Sequence, residues 1–356
     1  MRNERVMVRF GWHAFASKWV CASRYMTRRL LWFDARYRLT ALLSLSVTLN
    51  ALFATAPNTQ VVPANHPAWN WYYGVVHISR GNDFVGTGYV IDRKQVGNDF
   101  WLCVLTANHV VATQQSGFRW DPDDQLTIGF GNLGGNDPAF TTRKVFTVRD
   151  SVIGNDLHAQ LLGNDIPDLA VIGVRVNQQI WNRVSPYELH PAVSDTTFTI
   201  VGYGNTDAPG ARFISQPHTF GIKRFANNSV LQIFNGPSPY LPAFFMGAFI
   251  KWDLTDPGGV EGEGVTFGGD SGSPYFFSEP SDVNGIPVFT NKSIGVHHGG
   301  RNRYLNGDKG HATALTGNYI NWINAKCELV PEPGSLLILL GGSGWALLLY
   351  RRRVTT

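Results

Sequence analysis

Charge is scarce in this chain: Asp, Glu, Lys and Arg make up only 16% of its 356 residues, while 44% are apolar. Long amphipathic helical periodicity is missing from its middle, so nothing there reads as a helical bundle. With 38 glycines and 19 prolines, turns and short strands are left, and the composition predicts an all-β body. Cysteine is also sparse. There are three, too few for a disulfide-dense scaffold, and Cys21 falls in the N-terminal segment. In an oxidising compartment Cys103 and Cys327 make one candidate disulfide, with a buried free Cys103 as the alternative. The histidines show no convincing ligand spacing, so no metal and no cofactor are expected. A nucleic-acid footprint is lacking too. The formal +4 comes from the ends, where residues 1–56 hold nine basic and two acidic residues and Arg351, Arg352 and Arg353 close the chain. Without these the remainder has 18 basic and 24 acidic residues, a net of −6.

Both ends read as sorting segments. Arg36 and Arg38 precede the apolar stretch Leu39–Phe53, and Ala54-Thr55-Ala56 has the small-x-small form of a signal-peptidase site. Residues 1–56 are therefore expected to be a leader, with translation starting at Met1 or Met26; an uncleaved anchor is the alternative. At the other end, Pro331-Glu332-Pro333 precedes the mostly apolar Gly334–Tyr350 and the triple arginine. About 17 residues can just cross a bilayer with the arginines left cytoplasmic. This tail resembles the PEP-CTERM sorting signal of Gram-negative bacteria. The resemblance implies a transmembrane sorting helix, an exosortase-type partner, transient residence in the inner membrane, and delivery to the cell surface or medium. A plain C-terminal anchor is the alternative.

Three internal segments carry chemistry. Gly268-Gly269-Asp270-Ser271-Gly272-Ser273-Pro274 supplies a serine among small residues that let the backbone turn tightly and a substrate carbonyl approach. A serine hydroxyl needs a base, an orienting carboxylate and oxyanion donors. Trp101–Val111 is an apolar run of strand type that ends by presenting His109, and Ile166–Val174 is another run opened by Asp168. Base, orienter and nucleophile thus follow in the order His109, Asp168, Ser271. Asp165 and Asp156 are rivals for the aspartate role, although both sit in Gly-Asn-Asp tripeptides. That tripeptide recurs at 81–83, 97–99, 135–137, 154–156 and 163–165. It predicts hairpin tips, since these residues accept positive φ; a calcium loop would need a different spacing.

These segments resemble the motifs of chymotrypsin/trypsin-type serine proteases, T-A-A-H, D-(I/L)-A-(L/V) and G-D-S-G-x-P, in that family's chain order. Further resemblances lie in Val85–Ile91, Thr199–Gly204, Ile294–Gly299 and Asn318–Ile323, so the likeness spans about residues 71–327. It implies two antiparallel six-stranded β-barrels with a short C-terminal helix. The expected divisions are a leader at 1–56, a first barrel at 57–190, a second barrel and helix at 191–328, and the tail at 329–356. It also implies a Cys103–Cys327 bridge, because the family's C-terminal helix packs on the first barrel. Departures exist. Asn108 replaces alanine, Ser273 replaces glycine, and His297-His298 replace Ser-Trp beside the substrate. Val61-Val62 lack a basic residue before them and Gly-Gly after them, so no activation site of that kind is visible and the partner of Asp270 stays open.

Carried onto this sequence, the resemblance makes His109 the general base, Asp168 its orienter and Ser271 the nucleophile, with Gly269 and Ser271 N–H groups as the oxyanion hole. Val265 would lie at the base of the specificity pocket, with His297, His298 and Gly299 beside it. Lacking a carboxylate there, the enzyme would favour a small or apolar residue before the scissile bond in its protein or peptide substrate. Two other classes stand as alternatives: a catalytically silent binding module on the same fold, and a structural protein of the cell envelope or matrix.

Overall fold

The computed structural model of the protein describes residues 60–61, 70–81, 83–114, 116–121, 125–132, 137–204, 221–239, 244–253, 266, 268–279, 288–301 and 309–330. The expected leader and the Pro331-Glu332-Pro333 tail lie outside these residues. No helix among the described residues is long and apolar enough to cross a membrane.

The first half is a closed barrel. Its strands are β2 (Val75–Arg80), β3 (Asp83–Val96), β4 (Asp99–Thr106), β5 (Leu126–Phe130), β6 (Ala139–Thr147) and β7 (Ala170–Val176), hydrogen-bonded in the order β2-β3-β4-β7-β6-β5. The short β1 (Gln60–Val61) joins the second sheet instead. Val76, Ile78, Tyr89, Leu102, Val104, Ile128, Phe130, Ile172 and Val174 are fully buried in the core, and removal of their apolar surface from water drives closure. The β3–β4 hairpin turns on Gly97-Asn98 between the paired residues Val96 and Asp99. Gly97 has φ +61°, as a two-residue turn of this kind requires. Gly81, at φ +59°, likewise turns β2 into β3. The tripeptides at 154–156 and 163–165 are not hairpin tips, however. Asp156 caps the 3₁₀ turn Leu157–Leu162 and Gly163 closes it. Local side-chain capping chose that structure over a strand turn.

The second half is built from β8 (Glu188–Leu189), β9 (Thr197–Gly202), β10 (Arg224–Ser229), β11 (Gln232–Pro237), β12 (Met246–Asp253), β13 (Pro274–Glu279), β14 (Val288–Arg301) and β15 (Lys309–Ala314). With β1 they form a nine-stranded sheet in the order β1-β10-β9-β13-β14-β15-β12-β11, with β8 paired to β14. Six strands closing into a second barrel were expected; among the described residues this ladder stays open. The physical reason is visible at Val230-Leu231. Val230 N–H bonds Thr196 and Leu231 N–H bonds Lys251, so the chain itself carries β10 into β11 and no hydrogen-bonded ladder joins those two strands.

Among the described residues the α-helices are α1 (Asn108–Val111), α2 (Val148–Ile153), α3 (Gln178–Arg183) and α4 (Gly317–Glu328). Thr316 caps α4 by accepting the Tyr319 N–H. Tyr319, Trp322, Ile323 and Cys327 of α4 are buried. Cys327 is bonded to Cys103 of β4, with Cα atoms 5.7 Å apart across 224 residues of sequence, so the implied bridge is present.

Candidate active site

Strand register brings the first two candidate residues together. The last residue of β4, Thr106, pairs with the first of β7, Ala170. The chain leaving β4 and the chain entering β7 therefore run side by side, which sets His109, on the single turn α1, against Asp168. His109 Nδ1 lies 2.6 Å from Asp168 Oδ2, and the His109 backbone N–H donates to Oδ1 at 2.9 Å. Asp168 is fully buried while the His109 side chain keeps 18% exposure. Burial by itself would raise the Asp168 carboxyl. Attraction to His109, with hydrogen bonds from His109 and His298, outweighs burial and holds the group well below the usual carboxylate range.

Asn108, where the family has alanine, is buried and donates from Nδ2 to the Phe118 carbonyl at 3.0 Å. It thereby ties the histidine turn to the following loop, where Phe118 has φ +60°.

The serine turn is pinned from both halves. Gly269 has φ +99° and Gly272 φ +85°, values that a side chain would strain. A Cβ on Gly272 would collide with the Thr87 carbonyl and the Thr106 hydroxyl, so the turn lies directly against β3 and the end of β4 that leads into His109. Thr87 of β3 makes the main clamp. Its N–H donates to Ser271 O at 2.8 Å and its hydroxyl to Gly269 O at 2.9 Å, while the hydroxyl oxygen accepts the Tyr203 N–H at 3.2 Å. On the other side Gly272 N–H donates to His297 O at 2.9 Å. The N–H groups of Gly269 and Ser271 appear in no hydrogen bond among the described residues. Asp270 turns away, and its carboxylate accepts the Gly204 N–H at 2.8 Å. Side chains at Gly202 or Gly204 would overlap that carboxylate, which explains both glycines of the Val201-Gly202-Tyr203-Gly204 segment.

The rival aspartates are engaged elsewhere. Asp165 accepts the Tyr319 hydroxyl at 2.6 Å, and Asp156 pairs with Lys326 at 2.7 Å. Val265 lies outside the described residues. Gly299 is half-buried at an irregularity where β14 pairs β15. His297 and His298 are each 2% exposed, and their ring nitrogens point into the protein. His297 Nδ1 meets the Tyr275 hydroxyl at 2.8 Å, which in turn accepts Trp252 Nε1–H at 2.6 Å. His298 Nδ1 lies 2.7 Å from Asp168 Oδ2. These contacts attach the pair to the core and to Asp168. Burial pushes His297 well below the usual imidazole range, and the neighbouring His298, His109 and His311 lower it further.

Sequence reasoning passed over Thr87 and Ser238. Thr87 lies inside the quoted Val85–Ile91 motif, so its strand carried a signal; Ser238 had none. His109, Asp168 and His298 place ligand-type atoms within 4.8 Å of one another. Their N···O separations of 2.6 and 2.7 Å are those of hydrogen bonds. A metal at roughly 2 Å from each Nδ1 would have to displace both hydrogen bonds to the Asp168 carboxylate.

The family model described as Trypsin matches residues 63–323. A solved structure described as a Glu endopeptidase in complex with MPD is similar at TM-score 0.45 and 17% identity, covering 75% of this chain and 95% of the other. No curated protein matches the chain.

Proposed function

The chain belongs to the trypsin family, and from that premise we propose that it is a serine endopeptidase using His109, Asp168 and Ser271. The observation that carries this reading is the 2.6 Å contact between His109 Nδ1 and Asp168 Oδ2, on strand ends against which the glycine-rich serine turn is packed. Asp168 holds His109 with Nδ1 protonated, leaving Nε2 to accept the Ser271 proton. The Ser271 oxygen then attacks the substrate carbonyl carbon. The negative charge passes to the carbonyl oxygen, where the N–H groups of Gly269 and Ser271 receive it. His109 returns its proton to the leaving amine, and the acyl-enzyme forms. Water, deprotonated by the same imidazole, releases the acid and restores Ser271.

No carboxylate is supplied by Val265, so the reading extends to a small or apolar residue before the scissile bond. The remaining assignments follow the sequence. The body divides near residue 190 into His109–Asp168 and Ser271 halves. The leader directs export through signal peptidase, and the PEP-CTERM-like tail directs an exosortase-type step at the membrane and delivery outside the cytoplasm.

A fluorophosphonate probe tests the proposal, applied to the full chain and to Ser271→Ala. Labelling of the wild type alone supports it. A folded wild type that resists labelling, before and after N-terminal trimming towards Val61, would leave a protease fold serving as a binding module.

A further inference from the structure

Asp168 accepts more than one catalytic imidazole supplies. Its Oδ2 lies 2.6 Å from His109 Nδ1 and 2.7 Å from His298 Nδ1. An ionised carboxylate only accepts hydrogen bonds, so both Nδ1 atoms carry hydrogen. The side chains of His298 and Asp168 are both 0% exposed. On its far side, His298 Nε2 lies 2.6 Å from the hydroxyl of Ser238. With hydrogen on Nδ1 alone, His298 would present a bare Nε2 to the Ser238 hydroxyl, which would donate into it. That arrangement would form a continuous line: Ser238 O–H to His298 Nε2, His298 Nδ1–H to Asp168 Oδ2, and His109 Nδ1–H to the same oxygen.

We propose that His298, held in its Nδ1–H tautomer by Ser238, is a positioning residue that orients the Asp168 carboxylate for His109. The proposal rests on the triad reading given above. Three features make this more than packing. First, a buried carboxylate is costly in its ionised form, and a neutral N–H donor stabilises it without adding a charge. Second, an imidazole bonded at both nitrogens and packed against Phe249, with ring centroids 5.3 Å apart, has no rotation left, so the aspartate inherits its orientation. Third, the line crosses between the two halves. Ser238 follows β11 and His298 sits on β14, whereas Asp168 leads into β7. Beside it the Ile166–Met246 bridge joins the same halves by two backbone hydrogen bonds of 2.8 and 3.1 Å. The geometry of the triad is thereby tied to the docking of one half on the other.

The test joins spectroscopy to kinetics on the full chain. With ¹⁵N-histidine labelling, His298 is expected to show hydrogen on Nδ1 and not on Nε2, and two low-field Nδ1–H protons are expected, one from each imidazole. His298→Leu should lower kcat about 10- to 100-fold with KM little changed, as for a misplaced catalytic group. His298→Asn keeps an amide N–H near the position of Nδ1 and should recover most of that loss. Ser238→Ala should cost less and weaken the His298 proton signal. Bare Nδ1 on His298 would overturn the proposal, as would equal kcat for the Leu and Asn variants at equal thermal stability. Probe labelling of Ser238 in the Ser271→Ala protein would overturn it too, by making Ser238 a nucleophile. The two readings fail separately. A wild type that resists the probe while showing the Nδ1–H tautomer sinks the triad and with it any catalytic role for His298. A labelled wild type with the other tautomer sinks only His298.

Discussion

In the first barrel, His109 and Asp168 leave two adjacent strands of a closed ladder, whereas in the second sheet Ser271 sits on a glycine-rich turn before β13. The closed ladder sets its pair by register alone: Thr106 opposite Ala170 leaves little freedom to the residues just beyond. The turn has no such constraint and borrows rigidity from outside, through Thr87 of the first barrel and through Asp270 folded against Gly202 and Gly204. Both interiors hold buried polar groups: His77, Ser79, Thr87 and Thr106 in the barrel, and His297, His298, His311, Ser293 and Thr313 in the second sheet. Buried polar groups must be paired to be tolerated, and here the pairing of His298 reaches across to Asp168. The half that lacks a closed ladder is thus fastened to the other half through its polar groups.

The most severe break in this comparison falls on the register-set pair. Asp168→Asn should reduce kcat by on the order of 10⁴-fold, as expected when a triad carboxylate becomes an amide. Asp165→Asn, which touches only the Tyr319 bond, should leave turnover near wild type. Peptide or ester hydrolysis reads both, and comparable losses would overturn the choice of Asp168. Next comes the bridge that pins α4 to β4. Replacing Cys103 and Cys327 together with Ala should cost roughly 5 kcal/mol in the chain-entropy model, less whatever native strain the bridge carries. Urea unfolding reads that loss, which should leave His109 and Asp168 aligned in whatever remains folded.

The clamp between the halves is expected to matter less. Thr87→Val removes the hydroxyl bonds to the half-buried Gly269 and the buried Tyr203, and the buried N–H left unpaired costs about 1–3 kcal/mol. Turnover should fall with stability, while Thr87→Ser, which keeps the hydroxyl, should retain both. If Thr87→Val loses stability but not kcat, the serine turn does not depend on the first barrel.

The smallest effect compares the halves through pH. Burial, with a contribution from Lys223, pushes His77 of the first barrel down to about 4, and burial with nearby His298, Lys251 and Lys309 does the same to His311 of the second sheet. Both imidazoles are neutral in the folded protein between about pH 4 and 6.5 but protonate on unfolding. The stability they contribute is therefore present above about pH 6.5 and is lost as pH falls towards 4, by up to roughly 3 kcal/mol for each. Urea midpoints at pH 7 and 4.5 should converge partly in His77→Gln and partly in His311→Gln. An unchanged difference in either variant would remove that half from the acid response.

Much of the site was legible because its motifs are short-range. The small residues of Gly268–Pro274, the apolar run ending at His109 and the aspartate opening Asp168–Val174 each encode a local backbone shape, and the family resemblance assembled them. The all-β body was legible from composition and turn residues, and the Cys103–Cys327 bridge from the family's helix placement. The open second ladder was not, because it depends on where Val230-Leu231 sends its N–H groups. Nor were the partners of His297 and His298, which the sequence set beside the substrate and the fold turned inward.

By itself, then, the sequence determined an all-β trypsin-family body, with candidate residues in the order His109, Asp168, Ser271 and one cysteine pair to close it. Backbone propensity, glycine placement and apolar alternation act over a few residues and can be read directly. Only the tertiary structure decided which aspartate meets His109, that Thr87 clamps the serine turn, and that His298 shares the Asp168 oxygen. Asp168 and His298 stand 130 residues apart in sequence. A 2.7 Å contact between them is a property of how two sheets dock, which no local pattern encodes.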